Sequence, residues 1–122
     1  MPVPLQMGRQ VSKEKQKGTA AETAVVKYLR ESGQFPYAER RALHGTNDKG
    51  DITGMGPVVV EVKDHKTLKF SEWLKELADE IANAEADTGA VIAKKKGTTN
   101  VADWYAVMPV HVWVSLLKEA GY

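Results

Sequence analysis

In the middle of the chain, Asp51, Glu61 and Lys63 are spaced so that their side chains could form a metal-binding or catalytic site. Val60 and Val62 belong to a β-branched run that favours a strand, and side chains alternate across a strand. Glu61 and Lys63 therefore share one face, and a hairpin could fold Asp51 back toward Glu61. Two carboxylates brought together repel unless a proton or a cation lies between them. These residues predict a site for a hard divalent ion, Mg2+ or Mn2+, with Lys63 beside it.

Simpler interpretations of the same stretch stay open. Glu61 and Lys63 could form a solvated pair on the exposed face of an edge strand. His44 and Asp48, in a polar loop, are further candidate ligands, although a loop histidine is more often solvated. Asp48 competes with Asp51 for the role of first carboxylate. We favour Asp51 because the strand-like residues that follow it would fix its side chain.

Length and composition predict one small domain over residues 12–122, after a flexible tail over 1–11. The chain has no cysteine, which excludes a disulfide framework and a thiolate metal site and fits an intracellular protein. No apolar run approaches the length of a membrane span, and the N-terminus is no signal peptide. We therefore expect no membrane partner.

Charge is spread unevenly, although the net charge is only +1. Residues 1–49 hold nine Lys/Arg against five Asp/Glu, which gives +4, and the remainder holds eight against eleven, which gives −3. Such asymmetry suggests a basic face for a polyanion and an acidic face elsewhere.

A helix over residues 12–31 is predicted to carry Glu22 toward the sheet edge. Its apolar stripe comprises Ala20, Ala21, Ala24, Val25, Tyr28 and Leu29. Glu22 lies next to this stripe, unless it is an ordinary first-turn acid favoured by the helix dipole. Gly33 is the predicted stop. Gly18 marks either a later start, with Thr19 as the cap, or a close approach of the backbone to another group.

Three strands are predicted before the next helix: residues 35–43, a short strand around 51–53, and 58–63. Arg40 and Arg41 lie near the end of the first. Because adjacent residues point to opposite faces of a strand, at most one of these arginines faces the site.

The second half opens with a helix whose start Ser71 could cap. Its apolar stripe comprises Phe70, Trp73, Leu74, Leu77, Ala78 and Ile81. We interpret Trp73 as core, not as a base-stacking residue. The opposite face is acidic, and we interpret it as solvated: Glu72, Glu76, Asp79, Glu80, Glu85 and Asp87.

A strand over 88–93 leads into Lys94, Lys95 and Lys96. These lysines either contact phosphates where the strand emerges beside Lys63 or form a solvated turn. Another strand is predicted over 104–108.

Pro109 suits the first turn of a final helix that continues to residue 120. The predicted buried face of this helix comprises Val110, Trp113, Val114, Leu117 and Ala120. The complete order, αβββαββα, has a three-strand meander followed by a crossover helix. It predicts an α/β fold with a mixed β-sheet flanked by helices.

Three short motifs resemble those of the PD-(D/E)XK nuclease superfamily, and more narrowly those of archaeal and bacteriophage Holliday junction resolvases. Residues 17–22, Lys-Gly-Thr-Ala-Ala-Glu, look like the family's first-helix motif, a basic-glycine pair followed by a glutamate. Gly-Asp-Ile at 50–52 looks like the first metal ligand. Glu-Val-Lys at 61–63 looks like the second ligand and the catalytic lysine. The resemblance covers residues 12–120, with glycine in place of proline before the aspartate.

This resemblance implies a restriction-endonuclease-like fold and hydrolysis of a DNA phosphodiester that leaves a 5′-phosphate. Asp51 and Glu61 would hold Mg2+, for which Mn2+ could substitute, and the carbonyl of Val62 would be a further ligand. Lys63 would orient the attacking water or neutralise the phosphate. Glu22 would bind through water or complete a second metal site.

The resemblance also implies partners. Candidate contacts to DNA phosphates are Lys17, Arg40, Arg41, Lys94, Lys95 and Lys96. A four-way junction needs two symmetric cuts and one chain supplies one site, so a homodimer is expected. The expected location is intracellular, in the cytoplasm of a prokaryote or of a phage-infected host cell.

Other functions remain as alternatives. One is a different nuclease of the same superfamily, acting in repair or restriction. Another is a non-catalytic DNA-binding module that keeps only the fold. A third, supported only by the acidic helix face, is a small protein-interaction domain.

Overall fold

The computed structural model describes residues 12–42 and 48–122. The elements, in chain order, are α1 (Lys13–Glu31), β1 (Glu39–Arg40), β2 (Ile52–Thr53), β3 (Val58–Lys63), α2 (Phe70–Ala84), β4 (Thr88–Ala93), a 3-10 turn (Val101–Asp103), β5 (Tyr105–Val107) and α3 (Val110–Glu119). The chain is α/β, and the predicted order of helices and strands is confirmed. The predicted tail over 1–11 and the candidate ligand His44 lie outside the described residues.

Helix α1 begins and ends at side chains that satisfy its backbone. The Ser12 hydroxyl accepts a 3.0 Å hydrogen bond from the amide of Lys15, so the alternative start with Thr19 as cap is wrong. Gly18 lies inside the helix, and apart from its chain neighbours and the helix's own backbone no described atom lies within 4 Å of the position a Cβ would take there. A close backbone approach at Gly18 is therefore also excluded among the described residues. Gly33 follows the helix end with a φ of 85°, as a helix stop should.

Strands β3, β4 and β5 form a mixed sheet, as predicted. β3 and β4 are parallel and joined through α2, whereas β4 and β5 are antiparallel. Parallel neighbours require such a crossover connection, and a helix supplies it here. Gly89 allows β3 and α2 to pack closely on β4, because a Cβ there would stand 2.6 Å from the carbonyl oxygen of Val59 and 3.2 Å from the Cδ1 atoms of Leu77 and Ile81.

Strands β1 and β2 form a separate antiparallel pair, so the prediction of one three-strand meander is wrong. A turn at residues 36–37 shortens the predicted strand 35–43 to Glu39–Arg40. Gly54 packs so tightly after β2 that a Cβ there would overlap the carbonyl oxygen of Tyr37.

The two helices α1 and α2 cover opposite faces of β3. On one face Val60 and Val62 join a cluster with Val25 and Ile52. The other face belongs to a second cluster: Val59, Trp73, Leu77, Val91 and Ala93. The prediction that Trp73 is a core residue is therefore confirmed.

Two predictions about the helices are wrong, one about the cap of α2 and one about the buried face of α3. The N-cap of α2 is Lys69, without a side-chain hydrogen bond, so Ser71 is a helical residue and not the cap. In α3, among the described residues, none is buried, and Trp113 is 54% exposed. Helical spacing identifies an apolar stripe but not the element that would cover it. Within the described ranges, none of the helices has the length and apolar character needed to cross a membrane.

Candidate metal site

Asp51 is fixed beside β3 by backbone hydrogen bonds on both sides. Its amide donates to the carbonyl of Val60 at 2.9 Å, and its own carbonyl accepts from the amide of Arg41 at 2.8 Å. One carboxylate oxygen, Oδ2, accepts from the amide of Val62 at 2.7 Å. Asp51 immediately precedes β2, whereas the sequence predicts that it lies on the strand itself. The hairpin therefore brings this carboxylate against the middle of β3.

Glu61 and Lys63 lie on the face of β3 that α2 covers. Glu61 is only 5% exposed, so the alternative of a solvated pair is wrong. The ammonium of Lys63 lies 3.7 Å from Glu61 Oε2 and 3.3 Å from Glu76 Oε2. It also stands 5.9 Å from the ring centre of Trp73. Lys63 thus bridges an acid of the sheet and an acid of the helix.

Glu80 is the acid that sequence reasoning missed. Its sequence position predicts the solvated face of α2, but Glu80 is 2% exposed. Carboxylate oxygens of Asp48, Glu61 and Glu80 lie within 4.8 Å of one another. A signal was present in the sequence, because Glu80 stands at i+7 from Trp73 and i+3 from Leu77, on the buried side of the helix.

Burial and mutual repulsion raise the pKa values of these acids. Burial, followed by the negative charge of Glu61, raises the pKa of Asp51 from 3.8 to about 7, against the opposing hydrogen bond from Val62. Burial and then the neighbouring Glu80 carboxyl raise the pKa of Glu61, although Lys63 acts in the opposite sense. Burial also raises the pKa of Glu80. Bringing all these groups to the ionised state requires a compensating cation.

The donor set suits a hard divalent cation. Among the described residues, Glu61 Oε1 and Glu80 Oε2 are buried without a hydrogen-bond donor. Buried carboxylate oxygens without partners are costly, and oxygen is the ligand that Mg2+ and Mn2+ prefer. Val62 contributes its amide to Asp51, and a role for its carbonyl as a ligand stays a prediction.

Glu22 approaches the site from α1, paired with an arginine. Its Oε1 accepts a 3.0 Å hydrogen bond from Nε of Arg40. The negative charge of Glu22 contributes to the raised pKa of Asp51, which places the two groups near each other. Arg41 Nε is buried without an acceptor in the described part of the chain. Of the two arginines, Arg40 is thus the one with a hydrogen bond to a candidate site residue among the described residues.

Basic residues line a cleft at the end of β3 and β4. The amide of Lys94 donates to the carbonyl of Lys63 at 2.9 Å, so the lysine run emerges beside Lys63 as predicted. Asp64 lies 3.7 Å from the Lys17 ammonium and 3.8 Å from that of Lys94. The cleft measures about 330 Å3 and is lined by Lys17, Asp64, His65, Lys66, Lys94, Lys95, Lys96 and Gly97. Asp64 was not predicted, and it offsets part of the positive charge.

No protein-family model, curated protein or solved structure matches this chain. The resemblance to PD-(D/E)XK nucleases therefore depends on the three motifs, and it stays a prediction. Any function proposed for the chain therefore depends on the positions of Asp51, Glu61 and Lys63 beside β3.

Proposed function

We propose that the chain is a metal-dependent DNA endonuclease with a restriction-endonuclease-like fold that makes paired nicks in four-way junctions. The observation that carries this proposal is the set of carboxylates buried beside β3. Asp51 and Glu61 come from adjoining segments, repel each other, and stand next to a lysine. Such an arrangement is unfavourable in a purely structural site, whereas a divalent cation would stabilise it.

Asp51 and Glu61 would hold Mg2+ or Mn2+, with the carbonyl of Val62 as a further ligand. When bound, the ion would lower the pKa of a water and offset the charge that develops on a phosphate. The hydrogen bond from the Val62 amide orients the Asp51 carboxylate before any ion arrives. This preorganisation spares the ligand a rearrangement on binding.

Lys63 would act as a donor to a phosphate oxygen or to the attacking water. Burial lowers its pKa, but the charges of Glu61 and Glu76 outweigh that effect, so the pKa of Lys63 is raised overall. An ammonium between two carboxylates remains protonated at neutral pH, and it stabilises negative charge on the phosphate. Glu22, held by Arg40, would complete the acidic side from α1.

The lysine cleft would position the DNA backbone. Lys17, Lys94, Lys95 and Lys96 line it beside Lys63, and Arg40 and Arg41 are further candidates for phosphate contacts. Contacts to phosphates position a nucleic acid without reading its sequence, which suits a substrate defined by its branched shape. Two symmetric cuts require two such sites, so the proposal includes a homodimer.

The test is cleavage of a synthetic four-way junction with Mg2+, beside linear duplexes of the same arms. Wild type should make paired symmetric nicks in the junction alone, and Glu61→Gln should make none. Equal cutting of junction and duplex would keep the nuclease and discard the junction preference. Absence of cutting with both Mg2+ and Mn2+ would contradict the proposal.

A further inference from the structure

A second group of acids lies on the α2 side of Glu61. Oxygens of Asp48, Glu61 and Glu80 lie within 4.8 Å of one another, a separation that one cation can span. Among the described residues, Asp51 and Glu22 lie outside this group. The two carboxylates Glu61 and Glu80 are 5% and 2% exposed.

The cluster differs from an ordinary acidic surface because two of its oxygens are buried and unpartnered. Glu61 Oε1 and Glu80 Oε2 have no donor among the described residues. Lys63 approaches the other oxygen of Glu61, Oε2, at 3.7 Å. A group other than Lys63 must therefore satisfy the free oxygen of Glu61, either a proton shared with Glu80 or a bound cation.

Asp48 is held above this pair by two hydrogen bonds. The side-chain amide of Asn83 donates to the backbone carbonyl of Asp48 at 2.9 Å, and the amide of Gly50 donates to Asp48 Oδ1 at 2.9 Å. Asn83 stands one helical turn after Glu80, so α2 positions both the buried acid and the backbone at Asp48. The positions of all three ligands are thus fixed by the fold.

We propose that Asp48, Glu61 and Glu80 bind a divalent cation of the Mg2+ or Mn2+ class, at a site separate from Asp51. Glu61 would be a ligand of both sites. The site has three carboxylates against two positive charges, which favours a hard cation and leaves room for water ligands. The inference rests on the proposed function only in sharing Glu61, and it is testable without DNA.

The experiment measures Mn2+ binding to the full chain by calorimetry and by electron paramagnetic resonance, in the absence of DNA. Glu80→Gln and Asp48→Asn each remove one ligand charge without a change of size, and Asp48 is exposed, so its replacement leaves the core intact. Asp79→Asn, on the exposed side of α2, is the matched control. Asp51→Asn removes a ligand of the site proposed at Asp51 and Glu61, and so tests whether the two sites bind Mn2+ separately.

We expect Glu80→Gln and Asp48→Asn to weaken Mn2+ binding about tenfold to a hundredfold at one site, with Asp79→Asn unchanged. Asp51→Asn should still bind Mn2+ at the site formed by Asp48, Glu61 and Glu80. Unchanged binding in both ligand variants would overturn the inference, and so would loss of all binding in Asp51→Asn. A chain that cuts no DNA but binds Mn2+ through Glu80 would refute the proposed function and support the inference.

Discussion

The two faces of β3 use neighbouring residues in opposite ways. On one face Val60 and Val62 pack with α1 into an apolar cluster. On the other face Glu61 and Lys63 point toward α2, where Glu80 is buried as well. A single strand thus has one face that is apolar and another on which buried charges lie beside a second apolar cluster, because its side chains alternate.

This contrast shows where stability and chemistry reside in the fold. Removing apolar surface from water stabilises the folded chain by about 25 cal/mol per Å2. A buried carboxylate without a donor instead destabilises it by a few kcal/mol. The apolar clusters on both faces should therefore stabilise the fold, whereas the buried acids, which lie only on the α2 face, should determine ion binding and activity.

The largest expected effect is the loss of activity on replacing Glu61 by glutamine. The variant loses a ligand charge, so cleavage should fall on the order of a thousandfold, the equivalent of several kcal/mol in the barrier. Its Tm in EDTA should stay the same or rise, because a neutral amide can donate toward Glu80. Junction cleavage and thermal unfolding check both parts. A variant that keeps its activity would break the contrast between the faces.

The reverse pattern is expected on the α1 face. Ile52 is 1% exposed in the apolar cluster, and Ile52→Ala should lower the free energy of unfolding by about 2–5 kcal/mol. The control Leu68→Ala, at a half-exposed position, should lower it by less than about 0.5 kcal/mol. Urea denaturation measures both. Equal losses would mean that burial on this face does not control stability.

A smaller effect is expected from pH. The pKa of Asp51 rises from 3.8 to about 7 on folding, so the folded chain binds more protons than the unfolded chain between these values. Its contribution to stability is complete below pH 4 and is lost as the pH rises through about 7. In EDTA, Tm should fall on the order of 5 °C between pH 5 and pH 8. Asp51→Asn should make the fall in Tm smaller without abolishing it, because the raised pKa values of Glu61 and Glu80 act in the same direction. A wild-type Tm that rises with pH would contradict the argument.

Local patterns predicted the elements that pack on β3, but not every surface. Strand β4 has the bounds that the sequence predicted, because an apolar run ends at a glycine-containing lysine turn. The stripe of α3 has the same helical spacing as that of α2, yet Trp113 is 54% exposed whereas Trp73 is buried. Spacing describes one element, and burial depends on its neighbours.

Glu80 shows the same limit at the candidate site. An acid on a helix is normally solvated, so composition assigned it to the outer face. Its burial results from the approach of α2 to β3 and from the loop at Asp48, which Asn83 holds. These are tertiary contacts between residues far apart in sequence. The motif residues Asp51, Glu61 and Lys63 were recognisable because their spacing along a hairpin already places them near one another.

The smallest expected effect concerns Asp64, which directly follows the last residue of β3. Its carboxylate is near the ammonium groups of Lys17 of α1 and Lys94 after β4, at 3.7 and 3.8 Å, and ion pairs with solvent-accessible lysines contribute roughly 0–1 kcal/mol. Asp64→Asn should therefore change Tm little. It should tighten DNA binding by about threefold at low salt, because two lysines gain freedom to contact phosphates. Asp87→Asn, an exposed acid away from the cleft, should bind DNA as wild type does. Weaker binding in Asp64→Asn would mean that Asp64 orders the lysines for DNA and does not compete with it.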